Sequence, residues 1–154
     1  MAGTAIASII QAPTILSLEG ETLQIQENTL IGTKSPPTSV YRAWVARYYD
    51  LAEIDSLNRV LAYKGVNMDG ETMLWKLARC ESGHNPAVKV LDTNNKISYY
   101  LFQIQEETFK LYGGEDIENL KQHFEVAIKI MLSGKGHTPS GWMNCWRIEN
   151  LPII

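Results

Sequence analysis

No run of about 18 consecutive apolar residues occurs in this chain, so no segment has the length and hydrophobicity of a membrane-spanning helix. An excess of basic charge is also missing. The 14 Lys+Arg against 17 Asp+Glu give a net charge of −3. Nucleic-acid binders neutralise phosphates with clustered cations, so this balance argues against one. There is no internal repeat and no block of like charges. Residues 1–12 (MAGTAIASIIQA) are small and apolar but hold no Lys or Arg, so the basic n-region of a secretory signal is not visible in them. Cysteine is scarce as well: two residues allow a single intramolecular pairing, and sequence alone does not show whether Cys80 and Cys145 meet.

What is present is an ordinary globular composition. The 154 residues are 45% hydrophobic, and domains commonly hold about 100–150 residues. A chain of this size buries roughly two thirds of its unfolded surface, so it does not need a metal or a dense disulfide net to fold.

The chain divides by pattern into a tail or linker (1–37), a helical support segment (38–66) and a main domain (67–154). Glu21–Gln26 alternates polar and apolar residues as an edge strand does, and Ser35-Pro36-Pro37 favours an extended linker over a helix. Val40, Trp44, Val45, Tyr48 and Leu51 recur at helical spacing from Thr38. Leu57, Val60 and Leu61 either extend that helix or form a second one that Gly65 stops. The aromatic stripe Tyr41, Trp44, Tyr48 reads as packing.

Asp69 is placed to cap a helix over about 70–81, with Met73, Leu74, Leu77 and Ala78 as its buried face and Gly83 and Pro86 as its end. Residues 84–97 read as a loop, and Ile97–Gln105 as a short strand or extended segment. A short helix follows over Thr108–Tyr112, closed by Gly113-Gly114. Asp116 then caps a longer helix with Ile117, Leu120, Phe124, Ala127, Ile128 and Met131 on its apolar face. The fold expected is mainly α with one small β element. His84, His123 and His137 read as loop or surface residues.

The chemistry concentrates at Ala78-Arg79-Cys80-Glu81-Ser82-Gly83-His84-Asn85-Pro86. Glu81 stands at the C-terminal end of an apolar helix. The partial negative charge of a helix C-terminus disfavours an ionised carboxylate, and apolar surroundings do so by desolvation. Both effects hold the proton on Glu81, as a general acid requires. A solvated glutamate near a helix end is the plainer alternative.

Cys80-Glu81-Ser82-Gly83-x-Asn85-Pro86, followed by Ser98-x-x-Leu101-Phe102-Gln103-Ile104 and then Thr108-Phe109, resembles the transglycosylase-like, lysozyme-like domain of soluble lytic transglycosylases, goose-type lysozymes and resuscitation-promoting factors. The resemblance covers residues 68–147. It implies a lysozyme-like α+β domain that acts on peptidoglycan glycan strands without a cofactor or metal. It places Glu81 as the acid at the β-1,4 bond between N-acetylmuramic acid and N-acetylglucosamine. Ser98, Gln103 and Thr108 fall on groove positions, and Trp142, Trp146 and Tyr99 lie near the groove. Cys80 and the Cys145 of Trp142-x-x-Cys145 match a disulfide of secreted relatives. That pairing implies an oxidising compartment, hence export to the periplasm, cell wall or outside. A monomer with no nucleic-acid partner is expected.

Two positions depart from the family pattern. Tyr100 stands where glycine is usual, and a ring there would stack on a sugar or obstruct a subsite. Met131 stands on the helix where many relatives carry a tyrosine.

Asp92, Glu106, Glu107, Glu115 and Asp116 are the candidates for a second carboxylate, none distinguished from solvated surface. A lytic transglycosylase needs one glutamate, so the lyase outcome is expected, with a hydrolytic muramidase and a weakly active wall-binding module as alternatives. Two other chemistries compete for the same residues. Cys80-Glu81-x-x-His84 with His137 and Cys145 could hold zinc, but Gly83 and Pro86 break the helix that would align the first pair. A Cys80–histidine nucleophilic pair would need a reduced thiol.

Overall fold

Three long helices begin where a side-chain oxygen takes up otherwise free backbone N–H groups. Asp50 accepts from Ala52 N at 2.8 Å, Asp69 from Thr72 N at 2.7 Å, and Asn119 from Lys121 N at 3.0 Å. The computed structural model describes residues 14–18, 21–25 and 38–154. They belong to two compact units, one within residues 1–35 and the other spanning 36–154. The expected linker at 35–37 and the stretch 1–12 lie outside the described residues.

In the first unit β1 (Thr14–Leu18) and β2 (Glu21–Ile25) form an antiparallel hairpin with Leu16 opposite Leu23. The second unit runs α1 (Thr38–Val45), α2 (Leu51–Tyr63), α3 (Gly70–Ser82), β3 (Lys89–Leu91), β4 (Ile97–Tyr99), β5 (Ile104–Gln105), α4 (Glu106–Leu111), α5 (Leu120–Leu132) and α6 (Met143–Ile148). It is mostly helical, with one small antiparallel sheet in the order β3-β4-β5.

α3 is the hub and packs against α1, α2 and α6. Its Met73, Leu74, Leu77 and Ala78 are fully buried, as their helical spacing requires. In the same core, aromatic rings gather around Phe124 of α5. Its ring meets Phe102 at 5.0 Å, Tyr49 at 5.6 Å and Trp44 at 5.7 Å. These are offset or edge contacts of the kind aromatic rings favour. The start of α3 is held by buried Glu71, whose carboxylate accepts from Arg42 at 2.7 Å and Asn58 at 2.8 Å.

Of the two readings open for residues 38–64, the structure has the second: two helices, because Asp50 caps a new start. Other sequence expectations need correction. Asp116 does not cap the long helix. Gln122 Oε1 accepts from the backbone N–H groups of Glu115 (2.8 Å) and Asp116 (3.0 Å), so residues 115–118 stay outside α5 and Asn119 becomes the cap. The loop expected over 84–97 contains β3. The segment 97–105 is not one strand but folds back, with residues 100–103 as the bend between β4 and β5. His123 is not a surface residue. It is fully buried on α5, with Nε2 at 2.7 Å from the Ile117 carbonyl.

Candidate active site

Glu81 lies one residue before the end of α3. The helix stops because Gly83 adopts a left-handed φ of 59°, which lets the N–H groups of Gly83 and His84 return to Arg79 O (3.0 Å) and Ala78 O (3.2 Å). The chain therefore turns away at Gly83, and Glu81 lines a cleft of about 670 Å³.

The sheet supplies one wall. Its register sets Val90 opposite Ser98 and Ser98 opposite Gln105, and all three line the cleft as one cross-strand row. Asp92 and Asn94 line it from the β3–β4 connection. The 139–144 segment leading into α6 also lines the cleft. Gly136 O accepts from Trp142 N at 2.7 Å, and Gly141 runs so close to the Lys135 carbonyl that a Cβ would sit 2.3 Å from it. Only glycine fits there.

Cys80 and Cys145 are joined by a disulfide, with Cα atoms 5.7 Å apart and a sequence separation of 65. The bond ties the helix that carries Glu81 to α6. Arg79 and Glu149 reinforce the tie as an ion pair. In the chain-entropy picture a crosslink of this span stabilises by about 4 kcal/mol. With both sulfurs in the bond, neither thiolate is available to ligate zinc or act as a nucleophile.

The Glu81 carboxyl is pushed up to about 7, first by burial and second by the negative charge of Asp92. Asp92 is itself held in place, since its Oδ2 accepts hydrogen bonds from Ser98 Oγ and, at 2.8 Å, from Gln105 Nε2. The site thus holds two carboxyl groups with different surroundings. One is mostly desolvated and tends to keep its proton; the other accepts two donors.

Of the residues singled out from sequence, Glu81, Ser98, Gln103, Thr108 and Trp142 all line this cleft. Trp142 is 6% exposed and donates Nε1–H to Phe102 O at 2.6 Å, so only part of its surface is offered to a ligand. Gln103 has a φ of 48° and donates Nε2–H to Tyr100 O at 2.7 Å.

Tyr100 does not line the cleft. It takes the left-handed conformation (φ 59°) that a glycine would adopt more easily, and its buried ring turns away toward His123, 5.1 Å between centroids. Its hydroxyl donates to Glu118, which Lys89 also contacts at 2.9 Å. Tyr99 and Trp146 are not among the lining residues, and Trp146 packs against Gly136. Met131 is buried in the core.

Asp92, Asn94, Gln105, Ser140 and Asn144 line the cleft but had not been singled out as groove residues from sequence. For Asp92, Asn94 and Ser140 the only signal is the clustering of Asn, Asp and Ser in loops, which turn chemistry explains equally well, and Gln105 in β5 and Asn144 in α6 carry none. Glu106, Glu107, Glu115 and Asp116 are exposed outside the cleft. Among the described residues no helix is long and apolar enough to cross a membrane. Compared with protein-family models, curated proteins and solved structures, the chain matches none.

Proposed function

We propose that the protein cleaves the β-1,4 bond between N-acetylmuramic acid and N-acetylglucosamine in peptidoglycan, on a lysozyme-like domain, with Glu81 as the proton donor. The observation that carries the reading is a carboxyl pushed up to about 7 at an open, mainly polar cleft. The motif residues Ser98, Gln103 and Thr108 share that cleft, as the family resemblance requires.

In the lytic transglycosylase reading Glu81 gives its proton to the glycosidic oxygen, and the C1–O bond breaks. The resulting carboxylate then takes the proton of the muramic acid 6-hydroxyl, whose oxygen bonds to C1 and closes a 1,6-anhydro ring. One carboxyl performs both transfers. Ser98 and Gln105 act through Asp92, whose charge keeps the proton on Glu81 before the first step.

Asp92 also favours a second reading. A carboxylate in the same cleft as the acid can activate a water, which gives hydrolysis and a reducing end. The products separate the two. Anhydro-muropeptides in the mass spectrum of digested wall support the transglycosylase, and reducing ends support the muramidase. A third outcome, binding to wall without cleavage, would leave a wall-binding module on the same fold.

The disulfide supports export, because such bonds persist in oxidising compartments. Glycan strands are the partner, and no metal or cofactor enters the proposed reaction.

A further inference from the structure

The cleft that holds Glu81 is unbalanced in charge. Its lining includes the carboxyl groups of Glu81 and Asp92 but, among the described residues, no Lys, Arg or His. Two lysines stand close to Asp92 in the chain, Lys89 on β3 and Lys96 just before β4. Both are engaged elsewhere. Lys89 pairs with Glu118 at 2.9 Å, and Lys96 pairs with Glu107. Among the described residues neither cleft carboxyl takes part in a salt bridge.

Asp92 is also only half satisfied. Its two donors, Ser98 Oγ and Gln105 Nε2, bond the same oxygen, Oδ2. Among the described residues no donor bonds Oδ1. An ionised carboxylate only accepts hydrogen bonds, and each of its oxygens has room for more than one. Both donors are neutral, so they fix the carboxylate without cancelling its charge. Ser98 is buried and Gln105 half-buried, which holds Asp92 against the wall of the cleft.

The complement of such a group is a small cation that can donate to Oδ1. On a glycan strand that description matches the primary amine at C2 of a glucosamine that has lost its acetyl group. The amine is protonated at acid and neutral pH, and a charge-assisted N–H···O bond is stronger than a neutral one. An acetylated nitrogen offers a single neutral N–H in the same place.

We propose that Asp92 is a specificity-determining residue that favours strands carrying N-deacetylated glucosamine, by taking the sugar ammonium on its free Oδ1. This rests on the glycosidase reading above and names the substrate class of that same cleft. An ammonium seated there also acts on the acid. The negative charge of Asp92 helps to keep the proton on Glu81. A cation beside Asp92 offsets that charge, so Glu81 loses its proton at lower pH in this complex than with an acetylated strand.

The test compares kcat/KM of the full chain, in dilute buffer below pH 7, on fully N-acetylated strands and on the same strands treated with a deacetylase. One partly solvated ion pair corresponds to about a fivefold preference for the deacetylated strands, shrinking as salt screens it. Asp92→Asn keeps an acceptor oxygen for Ser98 and Gln105 and removes the charge, so its ratio is expected to fall to near one. A wild-type ratio of one or less, or an unchanged ratio in Asp92→Asn, overturns the specificity proposal alone. An unchanged ratio would trace the preference to the net negative charge of the whole protein. Cleavage of neither substrate by the wild type overturns the glycosidase reading and this proposal with it.

The pH dependence of kcat gives a second readout that needs no variant, because it reports the ionisation of the enzyme–substrate complex. The alkaline limb is expected at lower pH on deacetylated strands than on acetylated ones. Coincident limbs would put the ammonium away from Asp92 and overturn the proposal.

Discussion

The raised pKa of Glu81 has two causes of different kinds, burial first and the charge of Asp92 second. Their separate effects are testable. A general acid works while protonated, so activity should be full below about 7 and fall as pH rises through that value. Removing the Asp92 charge lowers the pKa of Glu81, so Asp92→Asn should move the alkaline limb of the pH–rate profile to lower pH; an unmoved limb would exclude the electrostatic role. Linkage runs the same way. The folded-state pKa of Glu81 is raised, so the folded state binds the extra proton, and stability falls as pH rises from the ordinary carboxylate range through about 7. Glu81→Gln should therefore melt higher than the wild type at pH 8 and show no such gain near pH 4. Glu81 was legible as a candidate acid from its helix-end position and motif. Asp92 was visible as a residue but not as a neighbour, because its place in the cleft follows from the turn between β3 and β4, which sequence pattern did not reveal. Tyr100 misled for the opposite reason. The pattern marked a glycine position correctly, but the ring's direction depends on Glu118 and Lys89, held by other parts of the chain.

At the scale of elements, the end of α3 places Glu81 in the lining of the cleft. A Cβ at Gly83 would meet nothing within 4 Å, so Gly83→Ala should cost only the left-handed backbone penalty, about 1 kcal/mol in denaturant unfolding. A much larger loss would mean that the turn carries packing the geometry does not show. The hydroxyl of Tyr100 ties the bend between β4 and β5 to Glu118. Tyr100→Phe should cost about 1 kcal/mol, since one partner is partly exposed. The start of α3 was readable because cap and apolar periodicity agree, Asp69 with Met73, Leu74, Leu77 and Ala78, whereas in α2 and α5 only the periodicity was legible and the caps Asp50 and Asn119 were not. The sheet was not, because β3 and β5 are three and two residues long, too short to show a period of two.

For the whole molecule, the disulfide joins α3, which carries Glu81, to α6, next to the segment that completes the cleft. Sequence counting could not decide whether the cysteines meet; the resemblance implied it and the fold brings their Cα atoms to 5.7 Å. Reduction by a dithiol, or Cys145→Ala with Cys80→Ala, should lower stability by about 2–4 kcal/mol and weaken cleavage by loosening that tie. Titration of the unreduced protein should find no reactive thiol. The central claim concerns Glu81 and bond cleavage, and purified cell wall digested by the wild type and by Glu81→Gln tests it directly. The expected result is soluble muropeptides from the wild type and at least a hundredfold slower release by the variant, in line with the roughly 10²–10⁴-fold contribution of a general acid. Equal release by both proteins, or none by the wild type, would contradict it.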